Sequence, residues 1–296
     1  MANTRELVVR RKSVRNTRKI TNTMKMVATA KLSKAQHAAM AARPYAKKLQ
    51  QVIGDLASAA SNVAHPLLKE HAEPKRAVVI LFSTDRGLCG AFNANLIKEL
   101  RSLREKLNAR GLEQEYVVQG KKGVNACRFL GIPVSKSFLM VSDKPSYTRA
   151  EEIGNDLIER YGKETIDEAY IIYSWFKSAS SQVPKVEQVL PLSGLQASSP
   201  ASADPAAAKA EGMGYLFHPD PQTILAEVLP LVVKMSIFTA MLDSTAGEHA
   251  ARRLAMKNAT DAADDMVKML TRQYNRARQS KITQEIAEIV GGAAAL

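Results

Sequence analysis

The residues of this 296-residue chain that come nearest to chemistry are Gly87-Leu88-Cys89-Gly90. They follow the apolar run Ala77-Val78-Val79-Ile80-Leu81-Phe82 and open an amphipathic stretch from Ala91 to Ala109. In that strand-to-helix setting backbone N–H groups can cradle a phosphate. The glycines fit neither G-x-G-x-x-G nor G-x-x-x-x-G-K-[ST], and no acid stands where a ribose contact is expected. A tight turn is therefore the competing reading. Cys89 at a helix N-terminus has the setting of an activated thiol, but no histidine is near it in sequence, and a buried structural thiol is the alternative. His37, His65, His71, His218 and His249 make no HxxxH or HExxH pattern, and His249 reads as a packed or capping residue. Asp261, Asp264 and Asp265 read as the solvated face of a long helix. Cys89 and Cys127 show no CxxC or Cys/His spacing, which points to a reduced compartment and to no zinc. The sequence thus offers no catalytic, cofactor or metal constellation.

The elements that position this loop form a small α/β body. After a linker from His65-Pro66 to Glu73-Pro74, the run 77–82 reads as a strand buried on both faces, followed by a helix that Asn108 and Gly111 stop. Tyr116 to Gln119 reads as a second strand and Lys121 to Leu130 as a short helix. Ala150 to Tyr161 reads as a further helix, and Glu168 to Phe176 as a third strand. Val183 to Leu192 reads as an edge strand, because Pro184 and Pro191 cannot donate within a central ladder. Alternating strands and helices predict a doubly wound, Rossmann-like sheet over 74–195. The Ser/Ala/Pro-rich stretch within 196–222 reads as a flexible loop ending in the stiff turn Tyr215-Leu216-Phe217-His218-Pro219.

On both sides of this body the period changes. The first fifty residues hold thirteen Lys or Arg and a single acid, Glu6, in a chain of net charge +13. Beneath the charge runs a 3-4 ladder: Val14, Thr17, Thr21, Met24, Ala28, Lys31, Ala35, Ala38, Ala42, Tyr45, Leu49, Val52, Leu56. Only Lys31 spoils it. The spacing returns as Met256, Ala259, Ala263, Met266, Leu270, Gln273 and Ala277, then slips and resumes at Ile282, Ile286 and Ile289. A 3.5-residue repeat belongs to helices wound on helices. We therefore expect helices over 1–62 and 223–296 to pair antiparallel as a long coiled coil. Thr223 to Leu229 reads as a short separate helix, with Pro230 in the first turn of the long one, where its missing N–H costs nothing. Seams of Ala, Thr and Met bury little area at about 25 cal/mol per Å², so the coil is thin and expected to be completed by something around it. The last eight residues carry no charged side chain.

With 46% hydrophobic and 24% charged residues the chain can bury a core. No apolar run approaches ~18 residues, so no span is expected. The Arg-rich start would suit a presequence, but the ladder begins at once, so it reads as mature fold. Concentrated basic charge suits nucleic acid, an anionic membrane surface or an acidic protein collar; the lack of interleaved aromatics disfavours stacking on single strands.

At Arg15-Asn16-Thr17-Arg18-Lys19-Ile20-Thr21 with Met24 to Ala28, at Ser83 to Gly90 with Asn93, at Glu248-His249-Ala250-Ala251-Arg252, and from Tyr274-Asn275 through Ile282-Thr283-Gln284-Glu285 to Val290, the chain resembles the gamma subunits of F-type ATP synthases. The resemblance covers nearly the whole length. It implies a non-catalytic rotor shaft without cofactor that stands inside a ring of alternating alpha and beta subunits. Its α/β domain would meet the epsilon subunit and the ring of c subunits. It implies beta-subunit contact by Arg278, Gln279 and Thr283, flanked by Met24 and Arg252, and c-ring contact by Tyr215, Phe217 and His218. His218 departs from relatives that carry an acid there, and Gly247 replaces a commoner Ser. Membrane contact would be only through the c-ring, at the cytoplasmic face of a bacterial inner membrane, with no nucleic acid bound. Two other functions fit the residues alone: a basic coiled coil that binds DNA with a steep salt dependence, and a nucleotide-dependent enzyme using the Gly87–Gly90 turn.

Overall fold

The computed structural model describes residues 4–59, 65–141, 143–192 and 221–294. In chain order these form α1 (Thr4–Ala59), a 3-10 turn (Pro66–Leu68), β1 (Arg76–Phe82), α2 (Phe92–Ala109), β2 (Glu113–Gln119), α3 (Lys121–Phe129), β3 (Val134–Phe138), α4 (Tyr147–Gly162), β4 (Glu168–Phe176), β5 (Gln182–Leu190) and α5 (Pro221–Ala294). They divide into a sheet-bearing unit, Lys31–Ala251, and a unit built from the two chain ends, Met1–Ala30 with Arg252–Leu296.

In the sheet-bearing unit the strand order is β3-β2-β1-β4-β5. β1 runs parallel to β2 and β4, β2 parallel to β3, and only β5 is antiparallel. Successive side chains of a strand face opposite sides, so each strand feeds two cores. Val78, Ile80 and Phe82 of β1 join Ile153, Leu157 and Tyr161 of α4 and Leu229, Val233 and Ile237 of α5. Ala77, Val79 and Leu81 join Leu96, Leu100, Leu103 and Leu107 of α2 and Cys127 of α3. β5 is an edge strand, as Pro184 within it demands. β3 is the strand that sequence periodicity does not disclose: Val134-Ser135-Lys136-Ser137-Phe138 lacks an apolar run, and its middle is exposed. The linker is pinned at its end, where the Asp167 carboxylate accepts from His71 at 2.6 Å and from the Lys75 and Arg76 amides at 2.7 and 2.8 Å.

One expectation for α5 is corrected. There is no separate helix before Pro230; one helix of 74 residues runs through it. An interior proline costs about 3 kcal/mol, and the buried Leu225, Leu229, Val232 and Val233 around it supply the packing that offsets this. The same stretch does pass for a membrane span by length and composition, with a mean hydropathy of 1.8 over eighteen residues. Its apolar side chains are the core between α4 and the sheet, so burial against protein explains its character.

In the other unit the ends do pair, and antiparallel. Thr260 Oγ1 donates to Thr21 Oγ1 at 2.9 Å, Arg18 meets Asp264 at 3.0 Å, and the Arg11 guanidinium lies 5.0 Å from the Tyr274 ring centre. As the number falls along α1 it rises along α5. Leu7, Thr21 and Ala28 are buried on one side, and Met256, Thr260, Ala263 and Leu270 on the other. Every second rung of the α5 ladder, however, sits one residue later than the sequence reading had it. Thr260 is more buried than Ala259, and Val267 and Tyr274 are half-buried where Met266 and Gln273 are exposed. Along α1 within the sheet-bearing unit the shift is the same: Leu32, Ala39 and Ala46 turn inward in place of Lys31, Ala38 and Tyr45. With 3.6 residues per turn, steps of 3-4 and 4-3 trace the same stripe, so periodicity alone did not choose between them.

Candidate functional site: a long helix seated in the sheet crevice

In an open parallel sheet the ligand crevice lies outside the carboxyl ends of the strands, where the order reverses. Here that place is beyond β1 and β4, and α5 occupies it. Ser244 Oγ donates to the carbonyl of Phe82, the last residue of β1, at 3.2 Å. Gly247 lies so close to β4 and α2 that a Cβ there would stand 3.0 Å from Ser174 Oγ and 3.3 Å from Phe92 Cε2. Every residue from Met241 to His249 is buried. The small residues Ser244, Thr245, Ala246, Gly247 and Ala250 permit this approach. A side chain at Gly247 would thus press on Ser174 and Phe92, which would have to give by a few tenths of an ångström.

The Gly87–Gly90 loop is closed on itself in keeping with this. The Thr84 amide donates to Asn93 Oδ1 at 3.2 Å, Thr84 Oγ1 donates to the Arg86 carbonyl at 2.6 Å, and Asn93 Nδ2 donates to Cys89 Sγ at 3.3 Å. Leu88 and Gly90 both take left-handed φ, 62° and 58°. The Phe92 side chain at the mouth of α2 is buried. These bonds fit the reading of a tight strand-to-helix turn. Cys89 and Cys127 are both buried, and burial pushes the Cys127 thiol up, away from the reactive thiolate.

Charged ties hold the seat from α1. Arg43 donates to the Phe176 carbonyl at 2.6 Å and to Asp243 at 3.1 Å. Burial pushes the Asp243 carboxyl up, and the Arg43 charge works against that rise. Lys31, the residue that spoils the ladder, donates to Asp143 Oδ2 at 2.7 Å, and His249 Nε2 lies 3.6 Å from Asp143 Oδ1. Burial raises the Asp143 carboxyl, but the Lys31 hydrogen bond and the charges of Lys31, His249 and Arg86 outweigh it and hold it below the usual range.

The residues expected to meet partners fall in three places. Arg278, Gln279 and Thr283 are exposed on α5, with Thr283 Oγ1 donating to the Gln279 carbonyl at 3.0 Å. Met24 on α1 is half-buried, and Arg252 on α5 is buried. Tyr215, Phe217 and His218 lie outside the described residues. Asp264 belongs to an interhelical pair with Arg18, not to a merely solvated face. The seat at Ser244 and Gly247 was missed by sequence reasoning; its signal was the run of small residues midway along a helix otherwise rich in large ones.

A family model described as ATP synthase matches residues 3–296. Full-length relatives agree. The ATP synthase gamma chain of Leptospira biflexa is 41% identical over 296 residues, covering 100% of both chains. That of Gemmatimonas aurantiaca is 44% identical over 299 residues, covering 100% of this chain and 99% of the relative. The chain belongs to the ATP synthase gamma-chain family. Its fold is that of solved rotors: a chain in the Euglena gracilis mitochondrial ATP synthase rotor superposes with a TM-score of 0.64 at 16% identity, covering 94% of this chain and 98% of that one. One from the Tetrahymena thermophila central stalk and c-ring gives 0.59 at 24% identity, covering 81% and 99%.

Proposed function

We propose that the chain is the central rotor shaft of an F-type ATP synthase, coupling rotation of a proton-driven c-ring to ATP synthesis and hydrolysis at surrounding beta subunits. The observation that carries this is α5 itself. One helix is embedded in the crevice of the sheet and also supplies one strand of the end-to-end coil, so torque received by the sheet-bearing unit has a covalent path into the coil. An asymmetric coil touches each beta subunit of a near-symmetric ring differently, and differential contact is what lets an angle bias site occupancy, and occupancy the angle. The chain itself performs no chemistry in this reading: its crevice is filled, and catalysis belongs to the beta subunits.

Arg278, Gln279 and Thr283 present a cation, an amide and a hydroxyl on exposed turns of α5 and are assigned to beta-subunit contact, with Met24 and Arg252 flanking. Tyr215, Phe217 and His218 are assigned to the c-ring and the sheet-bearing unit to the epsilon subunit. The bacterial relatives support the cytoplasmic face of the inner membrane, reached through the c-ring. Arg278→Glu in the reassembled complex is expected to leave hydrolysis measurable while lowering proton pumping per ATP severalfold, read by dye quenching in vesicles. Normal pumping would remove the role given to Arg278, and failure of the chain to co-purify with alpha and beta subunits would remove the shaft reading itself.

A further inference from the structure

Within the sheet-bearing unit the two long helices are held in different ways. α5 supplies Leu225, Leu229, Val232, Val233, Ile237, Ala240 and Met241 to the main core, whereas among the described side chains of α1 Leu49 is the one packed against it. The rest of the α1 seat is small: Leu32 meets Phe176, Ala246 and Ala250, with Ala35 beside it. Alanine buries little area, so such a seam contributes little. Charge does the remaining holding, at Lys31 to Asp143 and at Arg43 to Asp243 and the Phe176 carbonyl. The Lys31 and Asp143 side chains are 41% and 34% exposed, so ions reach that pair. Farther along, a small cavity separates α1 from the sheet, lined by Ala46, Leu49, Tyr173, Glu187, Met235 and Thr239. The buried Thr239 hydroxyl has no partner among the described residues, so water entering this mostly apolar cavity has that hydroxyl to bond.

We propose that α1 from Lys31 to Ala46 is a detachable strap: it is clipped to the sheet-bearing unit by salt-sensitive charged ties over a wet seat, and lets go as a local event while α5 stays embedded. The consequence for the motor, that release of the strap softens the link between sheet and coil, rests on the shaft reading above.

Hydrogen exchange by mass spectrometry on the full chain tests this, at about 20 mM and about 500 mM sodium chloride, where the screening length falls from tens of ångströms to a few. Amides of 33–46 are expected to exchange about tenfold faster at high salt, and those of 241–250 to change less than about twofold. Equal changes in both segments, or none in 33–46, would overturn the proposal. Beside Lys31→Met alone, which keeps the carboxylate facing His249, the double variant Lys31→Met with Asp143→Asn removes the exposed tie completely. It should give fast exchange of 33–46 already at low salt, with most of the salt response gone; an unchanged salt response overturns the assignment to that pair. Zinc alone is added in a third arm, because Asp143, Glu248 and His249 bring ligand atoms within 4.8 Å of one another. Tight binding that protects 33–46 would make the cluster a metal site and displace the strap. In the reassembled complex the double variant should pump fewer protons per ATP. If exchange responds as expected and pumping does not change, the strap stands and its part in coupling falls.

Discussion

Gly120 shows how far a single residue is constrained in this fold. It closes β2 at φ 95°, and a Cβ there would stand 2.4 Å from the Ser83 carbonyl oxygen, which is backbone and cannot turn aside. Gly120→Ala is therefore expected to cost about 3 kcal/mol or more, through left-handed strain and a clash together, measured as a fall in the urea midpoint. Gly247→Val meets a side chain and a ring in place of backbone, and about 1–3 kcal/mol is expected. Neither demand could be read beforehand, because a glycine, whether in a turn or in a helix, does not show in sequence how close its neighbours come. Glu115 adds a pH dependence. The Arg160 hydrogen bond, with its charge, outweighs burial and holds the carboxyl below its ordinary value. A depressed acid contributes stability that is complete above its unfolded pKa of about 4.3 and lost as pH falls through the folded value. Arg160→Gln should remove that acid-side loss, visible as a flatter stability profile below about pH 5.

At the scale of elements, the coil rests on a polar rung. Thr21 and Thr260 are buried facing one another, and Thr260 Oγ1 also reaches the Met256 carbonyl at 2.7 Å. Such a pair inside a seam favours one register over its neighbours. Each hydroxyl also has a carbonyl on its own helix, Arg18 for Thr21 and Met256 for Thr260, so Thr21→Val alone strands nothing and should cost about 0.5–1 kcal/mol, the worth of the one bond between the helices; a double-mutant cycle with Thr260→Val on thermal unfolding reads this. Strands with continuous apolar runs, such as 77–82 and 168–176, were legible because burial on both faces leaves no polar alternation. β3 was not, because an exposed edge strand is held by its neighbour's hydrogen bonds more than by its own hydrophobicity. The ladders told that the ends wind together, yet left every second rung a residue out. The step is decided by which side chain fits its partner, and that information lies in the other helix.

For the whole molecule, the two units differ in what holds them. The sheet-bearing unit has two apolar cores around one sheet. The end-built unit has a narrow seam, and beyond Ala277 the described residues of α5, Ile282, Ile286, Ile289 and Val290 among them, are exposed. Protection against hydrogen exchange should therefore fall into two classes, with residues 4–30 and 252–294 opening at far lower free energy than β1 and β4. A single cooperative class across the chain would contradict that. The partner contacts were legible only through likeness to relatives, since an exposed arginine, amide or hydroxyl on a helix carries no mark of what it touches.

Because one unit is assembled from the first thirty and the last forty-five residues, its halves are made far apart in time. Ribosomes add about 5–20 residues per second, so the basic N-terminal helix emerges and waits on the order of ten seconds or more for its mate. Once β5 is made the sheet is complete in sequence but its crevice stands open, and the helix that fills it is the last of the described elements to be translated. Premature termination between β5 and the seat at Met241–Ala250 thus yields a product with a vacant groove and an unmated cationic arm, a species that quality control can recognise by both features at once.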